Sequence, residues 1–157
     1  MQIRYIKGDA TAPVGEGNKI IVHVCNDIGA WGAGFVMALS ARWKEPENEY
    51  RKWAASGDHF QLGEVQLVQV APAIWIANMI GQRGISRDSE GNPPVRYDAI
   101  KKGLIKVSAF ARNMKATVHM PRIGCGLAGG TWEQIEPLLS HELTAAGVET
   151  FVYDLVR

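Results

Sequence analysis

Two glycine-rich segments contain the residues of this chain whose types and spacing could do chemistry. The first spans residues 25–34 and the second spans residues 123–130, and each follows an apolar stretch and precedes a helical pattern. Glycine lacks a Cβ atom and tolerates positive φ, so such segments can bring main-chain N–H groups close to an anion. One glycine-rich turn is commonplace, but two at corresponding strand-to-helix junctions can line one crevice and suit two linked phosphates.

Polar and aromatic side chains accompany the first segment. Asn26 and Asp27 fall at its mouth, where an amide and a carboxylate could hold a sugar or a water molecule. Either could instead form an Asx turn, although Asn26 interrupts an apolar strand and requires a hydrogen-bond partner. Asp9 follows the first strand, where it could accept a hydrogen bond from the exocyclic amine of adenine or start a turn. Trp31 could line a pocket or fill the core.

The second segment permits other interpretations. Gly124-x-Gly126-x-x-Gly129 matches the dinucleotide-binding fingerprint, and Asp154 lies about where a ribose-binding carboxylate is expected. Only one strand can follow it, however, whereas dinucleotide folds build several strand and helix units after the fingerprint. Cys125 lies close to the predicted helix start, which can lower a thiol pKa and permit a nucleophilic role, or it is there because it is small.

The hydrophobic patterns predict the elements that position these segments. Strands are expected over residues 2–7, 19–24, 65–70, 74–79, 117–120 and 150–156, and helices over 35–42, 46–55, 96–113 and 132–146. This order predicts an α/β protein, a three-layer α/β/α sandwich around a mixed, roughly six-stranded sheet. Thr131 and Gln134 have the spacing of a capping box for the last helix, and Pro137 predicts a kink or a later start.

Composition sets further limits. The 157 residues fit one domain, residues 1–157, and a net charge of +1 without long charged runs predicts no nucleic-acid surface. The longest apolar region, residues 65–80, is interrupted by polar residues and a proline, so we expect no membrane span. Two cysteines and no visible signal peptide indicate a reducing, cytoplasmic location. His23 and Cys25 share a strand face without a further ligand, so we expect neither a metal nor a cofactor.

Four groups of residues together resemble the macrodomain family. They are Lys7-Gly8-Asp9, His23-x-Cys25-Asn26 with Trp31-Gly32-x-Gly34, Pro121-Arg122-Ile123-Gly124-Cys125-Gly126-Leu127 followed by Trp132, and the closing Val152-Tyr153. Within the family they are similar to the branch of the terminal ADP-ribose protein glycohydrolase, macrodomain antitoxins that act on ADP-ribosylated DNA, and the yeast ADP-ribose 1''-phosphate phosphatase. The similarity covers nearly the whole chain and implies a single macrodomain.

The resemblance implies a role for individual residues. Asp9 would bond the adenine amine with help from the backbone of Ala10, and Tyr153 would lie against the adenine. Asn26 would border the distal ribose, where bonds to a modified side chain are cut. We also expect Trp31 to be among the ligand-binding residues. The diphosphate would be clasped by Gly32, Ala33, Gly34 and Phe35 from one loop and by Ile123, Gly124, Cys125, Gly126, Leu127 and Ala128 from the other.

The chain departs from that branch at two positions. A lysine that attacks the ribose follows the fourth strand in the branch, whereas this chain has Ile80-Gly81-Gln82-Arg83, and Ala128 stands where the branch has an aspartate. We therefore expect no lysine adduct. Cleavage at the anomeric carbon can instead pass through an oxocarbenium-like state that the bound diphosphate stabilises, with Asn26 and Asp27 as the catalytic residues that position sugar and nucleophile.

These inferences predict an ADP-ribosyl hydrolase that removes mono-ADP-ribosyl groups from modified protein side chains. Ester links to acidic residues are favoured, because a carboxylate leaving group needs little acid assistance. A reader that binds ADP-ribose without turnover and an ADP-ribose 1''-phosphate phosphatase are the alternatives. The expected partners are ADP-ribose or ADP-ribosylated protein, with nucleic acid only as an ADP-ribosylated substrate, no membrane, and a monomeric state.

Overall fold

The computed structural model describes residues 1–156 and contains one sheet with helices on both faces. The strands are β1 (Arg4–Lys7), β2 (Lys19–Asn26), β3 (Val65–Ala71), β4 (Ile74–Gln82), β5 (Thr117–Met120) and β6 (Thr150–Asp154). The helices are α1 (Phe35–Arg42), α2 (Glu45–Ser56), α3 (Tyr97–Met114) and α4 (Trp132–Glu142), and a 3₁₀ turn covers Thr144–Ala146. The predicted order of elements is confirmed.

The six strands follow the order β1-β6-β5-β2-β4-β3. Only β3 runs antiparallel to its neighbour β4, with which it forms a hairpin, and the other pairs of strands are parallel. Because parallel strands end at the same edge of a sheet, the segments that follow β2, β4 and β5 all lie at one edge. The predicted mixed sheet is confirmed, and it places β2 between β5 and β4.

The central strand β2 is covered on both faces, as its uninterrupted apolar sequence predicts. Ile20 and Val22 pack into a core with α3 and α4, whereas Ile21 and Cys25 pack into a second core with α1 and α2. This alternation follows from the two-residue period of a strand and makes the three-layer sandwich. No helix within residues 1–156 has the length and hydropathy that a bilayer-crossing segment needs.

The last helix differs from its prediction. Thr131 is the N-cap of α4, but its side chain makes no capping hydrogen bond, so the expected capping box with Gln134 is wrong. The N–H groups of Gln134 and Ile135 use the main-chain carbonyl oxygen of Thr131 instead, at 3.1 and 3.2 Å. The helix starts at Trp132 and runs through Pro137, so the later start is also wrong, and it tightens into the 3₁₀ turn after Glu142.

Candidate functional site

Two loops meet at the carboxyl edge of the sheet. The first loop (residues 27–34) leaves β2 and the second loop (residues 121–131) leaves β5, and these two strands are paired directly. The loops approach each other closely, because a Cβ atom built on Gly34 would lie 3.4 Å from Cδ1 of Leu127. The two glycine-rich segments of the sequence therefore form opposite sides of one crevice.

Both sides of the crevice contain main-chain N–H groups that have no acceptor within the described part of the protein. Within residues 1–156, the N–H groups of residues 32–36 have no acceptor, and neither do those of residues 123, 124 and 126–128. Gly34 and Gly124 adopt φ angles of 83° and 72°, which residues with a Cβ atom rarely adopt. Consecutive free N–H groups at a strand end and a helix start form a concave surface that favours anions.

A continuous cleft runs between the loops. The inter-loop cavity, of about 550 Å³, lies between the first and second loops. The side cavity, of about 610 Å³, lies between the first loop and a third loop (residues 83–96), which follows β4. The two cavities share the lining residues Val24, Ala33, Val36, Gln82 and Leu127. Each has a volume typical of small-molecule sites.

The structure brings most of the predicted site residues to the cleft. The inter-loop cavity is lined by Ala33, Gly34, Phe35, Ile123, Gly124, Gly126, Leu127 and Ala128, and the side cavity by Asn26, Trp31 and Gly32. The predicted residues that line neither cavity are Asp9, Ala10, Asp27, Cys125 and Tyr153.

Asn26 uses its side-chain amide to hold the first loop. Its Oδ1 accepts hydrogen bonds from the N–H groups of Ile28 at 3.1 Å and Ala30 at 3.0 Å. Its Nδ2 donates to the Ala30 carbonyl at 2.8 Å, and the hydroxyl of Tyr50 lies 2.6 Å from its carbonyl oxygen and 2.9 Å from Oδ1. The Asx-type interaction is therefore present. One N–H of Nδ2 has no acceptor among the described residues and remains free beside the side cavity.

Asp27 connects two loops. Its Oδ1 accepts a hydrogen bond from the N–H group of Gly84 in the third loop, at 2.8 Å. A carboxylate is a strong acceptor for a main-chain N–H, so this bond fixes the start of the third loop against the first. Asp27 therefore lies next to the site without lining the cleft.

Trp31 and His23 form the floor of the cleft. Trp31 is only 5% exposed, donates from Nε1 to Ser40 Oγ at 2.8 Å, and packs edge-on against His23. It therefore fills the second core and lines the side cavity at once. Nε2 of His23 lies 2.5 Å from Oδ1 of Asn78, whose Nδ2 donates elsewhere, so Nε2 carries the proton. Burial lowers the pKa of His23 to about 4, so its ring is neutral at pH 7.

The residues expected at the adenine lie beyond the inter-loop cavity. Oδ1 of Asp9 accepts hydrogen bonds from the N–H and the hydroxyl of Thr11, at 2.8 and 2.7 Å. These are the bonds of a turn, the second of the two roles that the sequence allowed for Asp9. Tyr153 is buried beside Ala10, and its hydroxyl accepts a hydrogen bond from the N–H of Val14 and lies 2.7 Å from Nδ1 of His119. After β6, the exposed side chain of Leu155 lines the inter-loop cavity instead.

Two of the alternatives that the sequence left open for the second loop and its surroundings are wrong. Burial raises the pKa of the Cys125 thiol, although α4 begins at Trp132 as predicted, so the nearby helix start does not lower that pKa below its ordinary value. Asp154 does not stand free to bind a ribose, because its oxygens accept hydrogen bonds from Nε and Nη2 of Arg122 at 2.7 and 2.9 Å. The guanidinium of Arg122 also lies over the rings of Tyr5 and Trp132, which anchors the second loop to β1 and α4.

The sequence interpretation missed two residues of α2. Tyr50 is fully buried and bonds to Asn26, while Arg51 donates to the carbonyl oxygens of Gly29 and Trp31, each at 3.3 Å, and pairs with Glu47. These contacts support the first loop, and Arg51 also lines the side cavity. The available signal was weak: a tyrosine buried in a helix requires a partner for its hydroxyl, but the sequence does not say which.

Comparison with solved structures identifies the family. No family model matches the chain. A macrodomain protein from Streptomyces coelicolor is 52% identical and superposes with a TM-score of 0.87, over 98% of this chain and 99% of that one. The chain therefore belongs to the macrodomain family, and the dinucleotide-fold interpretation is excluded.

Curated relatives extend the comparison. The mouse (Mus musculus) chromodomain-helicase-DNA-binding protein 1-like is 32% identical over 99% of this chain, but this chain spans only 18% of its length. The ADP-ribose 1''-phosphate phosphatase of Candida albicans is 28% identical, over 87% of this chain and 91% of its own length. The similar region is thus a small part of a much longer protein in one relative and nearly the whole length of the other.

Proposed function

We propose that this chain binds ADP-ribose, with the diphosphate held between the first and second loops. The observation that carries this proposal is the presence of two sets of N–H groups without acceptors within residues 1–156, those of residues 32–36 and those of residues 123, 124 and 126–128, in two segments at one sheet edge. A diphosphate needs several donors on two sides, and main-chain N–H groups at helix starts and glycine turns provide them without a cationic side chain.

The two cavities on either side of these donors support an orientation for the ligand. The distal ribose occupies the side cavity, where Asn26 keeps one free N–H and Trp31 forms the floor. The adenosine extends from the inter-loop cavity towards Leu155 and the turn at Asp9. The name of the Candida albicans relative, which refers to an ADP-ribose derivative, supports the same ligand class.

We also propose that the chain hydrolyses the ester between the distal ribose and an acidic protein side chain. Water forms a bond to the anomeric carbon, the bond from that carbon to the ester oxygen breaks, and its electron pair leaves with the carboxylate. The products are ADP-ribose, the free carboxylate and one proton, which the solvent accepts. The diphosphate stabilises the positive charge that develops on the ribose, and the Nδ2 group of Asn26 orients the sugar or the water.

The chain's own residues support this route over a lysine adduct. Gln82 and Arg83 follow β4, where the adduct-forming branch has its lysine, and Ala128 replaces the aspartate. His23, with its lowered pKa, is a neutral group on the cleft floor rather than an acid. A carboxylate leaving group does not require an acid.

The test uses a protein carrying mono-ADP-ribose on glutamate, with free ADP-ribose measured by chromatography. We expect release from the glutamate-linked substrate and none from an arginine-linked one, whose leaving group needs protonation. Retention of the label at high protein concentration would contradict the hydrolase proposal. Calorimetric binding of ADP-ribose without any release would leave the chain as a reader, and the absence of both would overturn the ligand assignment.

A second candidate activity is removal of phosphate from ADP-ribose 1''-phosphate. The observation that favours it is the relative of that name, which matches nearly end to end, together with His23 at the floor of the inter-loop cavity. Phosphate release from that compound, measured beside the glutamate-linked substrate, separates the two activities.

A further inference from the structure

We infer that Asp27 is a positioning residue that holds the third loop against the cleft, not a group that activates water. The inference rests on the proposed function and revises the catalytic role expected for Asp27. It starts from one contact, the 2.8 Å hydrogen bond from the N–H of Gly84 to Asp27 Oδ1, which joins residues 57 positions apart. A carboxylate that binds a backbone donor and lines neither cavity is poorly placed to take a proton from a water above the ribose.

Gly84 connects the hydrogen bond of Asp27 to a residue that lines the cleft. Gly84 adopts a φ of 63°, and its carbonyl oxygen accepts a hydrogen bond from Nε2 of Gln82 at 2.9 Å. Gln82 lines both cavities, and its Oε1 has no described partner. Asp27, Gly84 and Gln82 therefore form a short chain of hydrogen bonds that fixes which end of the Gln82 amide faces the ligand.

The same bond fixes an apolar wall. Ile85 follows Gly84, lines the side cavity and is 58% exposed. The end of the third loop, residues 95 and 96, is held separately. The N–H of Val95 donates a hydrogen bond to the carbonyl oxygen of Ala128, and the N–H of Arg96 donates to the carbonyl oxygen of Gly81. At the start of the loop, the N–H of Arg83 donates to the carbonyl oxygen of Pro94 at 2.8 Å, and Gln82 stays paired in β4. Among the described residues, Asp27 makes the hydrogen bond that ties Gly84 to the first loop, so loss of this carboxylate frees Gly84 and Ile85 from the first loop while the rest of the third loop remains attached.

The strand geometry explains why Asp27 reaches Gly84. The register between β2 and β4 shifts between Cys25 and Asn26, so that Asn26 pairs with Gln82 and not with Gly81. This irregularity brings the residue after Asn26 beside the start of the third loop. Asn26 then turns the chain back through its own bonds to residues 28 and 30. The neighbouring residues 26 and 27 thus have different tasks: Asn26 shapes the first loop, and Asp27 ties it to the third.

The experiment compares Asp27→Asn with Asp27→Ala, and uses Asp58→Asn as the control because Asp58 is exposed and lines neither cavity. Asparagine retains an oxygen that accepts from Gly84 but cannot act as a base. We expect Asp27→Asn to keep kcat within about twofold, and Asp27→Ala to lose about tenfold in kcat/KM, mainly through KM. Loss of a general base would lower kcat by about 10²-fold or more in both variants, and that result would overturn the inference.

A second readout does not depend on turnover. Hydrogen exchange at the Gly84 amide should be unchanged in Asp27→Asn and faster in Asp27→Ala, at equal global stability. Unchanged exchange in Asp27→Ala would also overturn the inference. If the wild-type chain releases no ADP-ribose, the hydrolase proposal fails, but the exchange comparison and the affinity for free ADP-ribose still test the role of Asp27.

Discussion

Acidification should destabilise this protein through two buried histidines. His23 and His119 are 2% and 0% exposed. His23 donates to Asn78, and His119 lies between the hydroxyls of Thr117 and Tyr153, 2.7 Å from each. Burial lowers the pKa of each ring from 6.5 to about 4, with Lys19 adding to the effect at His119. Both rings are therefore neutral in the folded protein down to about pH 4.

The sign and size of the effect follow from proton linkage. Below pH 6.5 the unfolded chain binds protons at both positions and the folded chain does not, so the free energy of unfolding falls as the pH falls. Each histidine removes about 2 kcal/mol at pH 5 and about 3 kcal/mol at pH 4, and the loss levels off only below the folded-state pKa of about 4. The combined loss is comparable to the whole stability of a typical small domain, about 5–15 kcal/mol.

The assay is denaturant unfolding at pH 7 and at about pH 5, for the wild type, His119→Gln and His141→Gln. Between the two pH values, the free energy of unfolding of His119→Gln should fall by about half as much as that of the wild type, whatever the stability of the variant at pH 7. The exposed His141 serves as the control and should leave the dependence unchanged. Equal free energies of unfolding at the two pH values, or ring signals of His23 and His119 that titrate near pH 6.5 by NMR, would refute the reasoning.

Three further predictions concern the cleft and its supports. A Cβ atom on Gly126 would meet nothing within 4 Å, so Gly126→Val should fold normally. The valine side chain should weaken ADP-ribose binding, measured by calorimetry, at least about tenfold, because it occupies space beside the N–H groups that bind the diphosphate. Ala146→Val, at the opposite edge of the sheet, is the control, and equal affinities of the two variants would contradict the prediction. Tyr50→Phe should lower the free energy of unfolding by about 1–2 kcal/mol through the lost bonds to Asn26, as measured by denaturation, and an unchanged value would argue against that support. Arg122→Met should lower the thermal midpoint only slightly, by the equivalent of about 1 kcal/mol or less, because the ion pair with Asp154 is half exposed. A much larger drop in the midpoint would contradict this and would show that the stacking of Arg122 on Tyr5 and Trp132 dominates.

The elements of the fold could be predicted from the sequence because their signals are local. The β-branched run of β2 and the apolar stripe of α3 each appear within a short window, and the structure places both as expected. The two glycine-rich segments were also visible, and the rule that parallel strands share a carboxyl edge brought them together. The sequence therefore predicts those features of the fold that a short stretch of residues encodes.

The partners of polar side chains could not be predicted, because they are distant in the chain. The hydroxyl of Tyr50, in α2, forms a hydrogen bond with Asn26, at the end of β2. Asp27 accepts a hydrogen bond from Gly84 because of a register shift between β2 and β4, which the hydrophobic periodicity does not reveal. The capping box failed for a related reason. A main-chain carbonyl was already close enough to take the donors assigned to the Thr131 side chain.

An NMR titration of the labelled chain with ADP-ribose tests the central claim most directly. The account predicts that the largest amide shifts fall in residues 32–36 and 123–128 together, since both N–H runs receive the same diphosphate. Shifts confined to one of the two loops, or concentrated away from the carboxyl edge of the sheet, would contradict it.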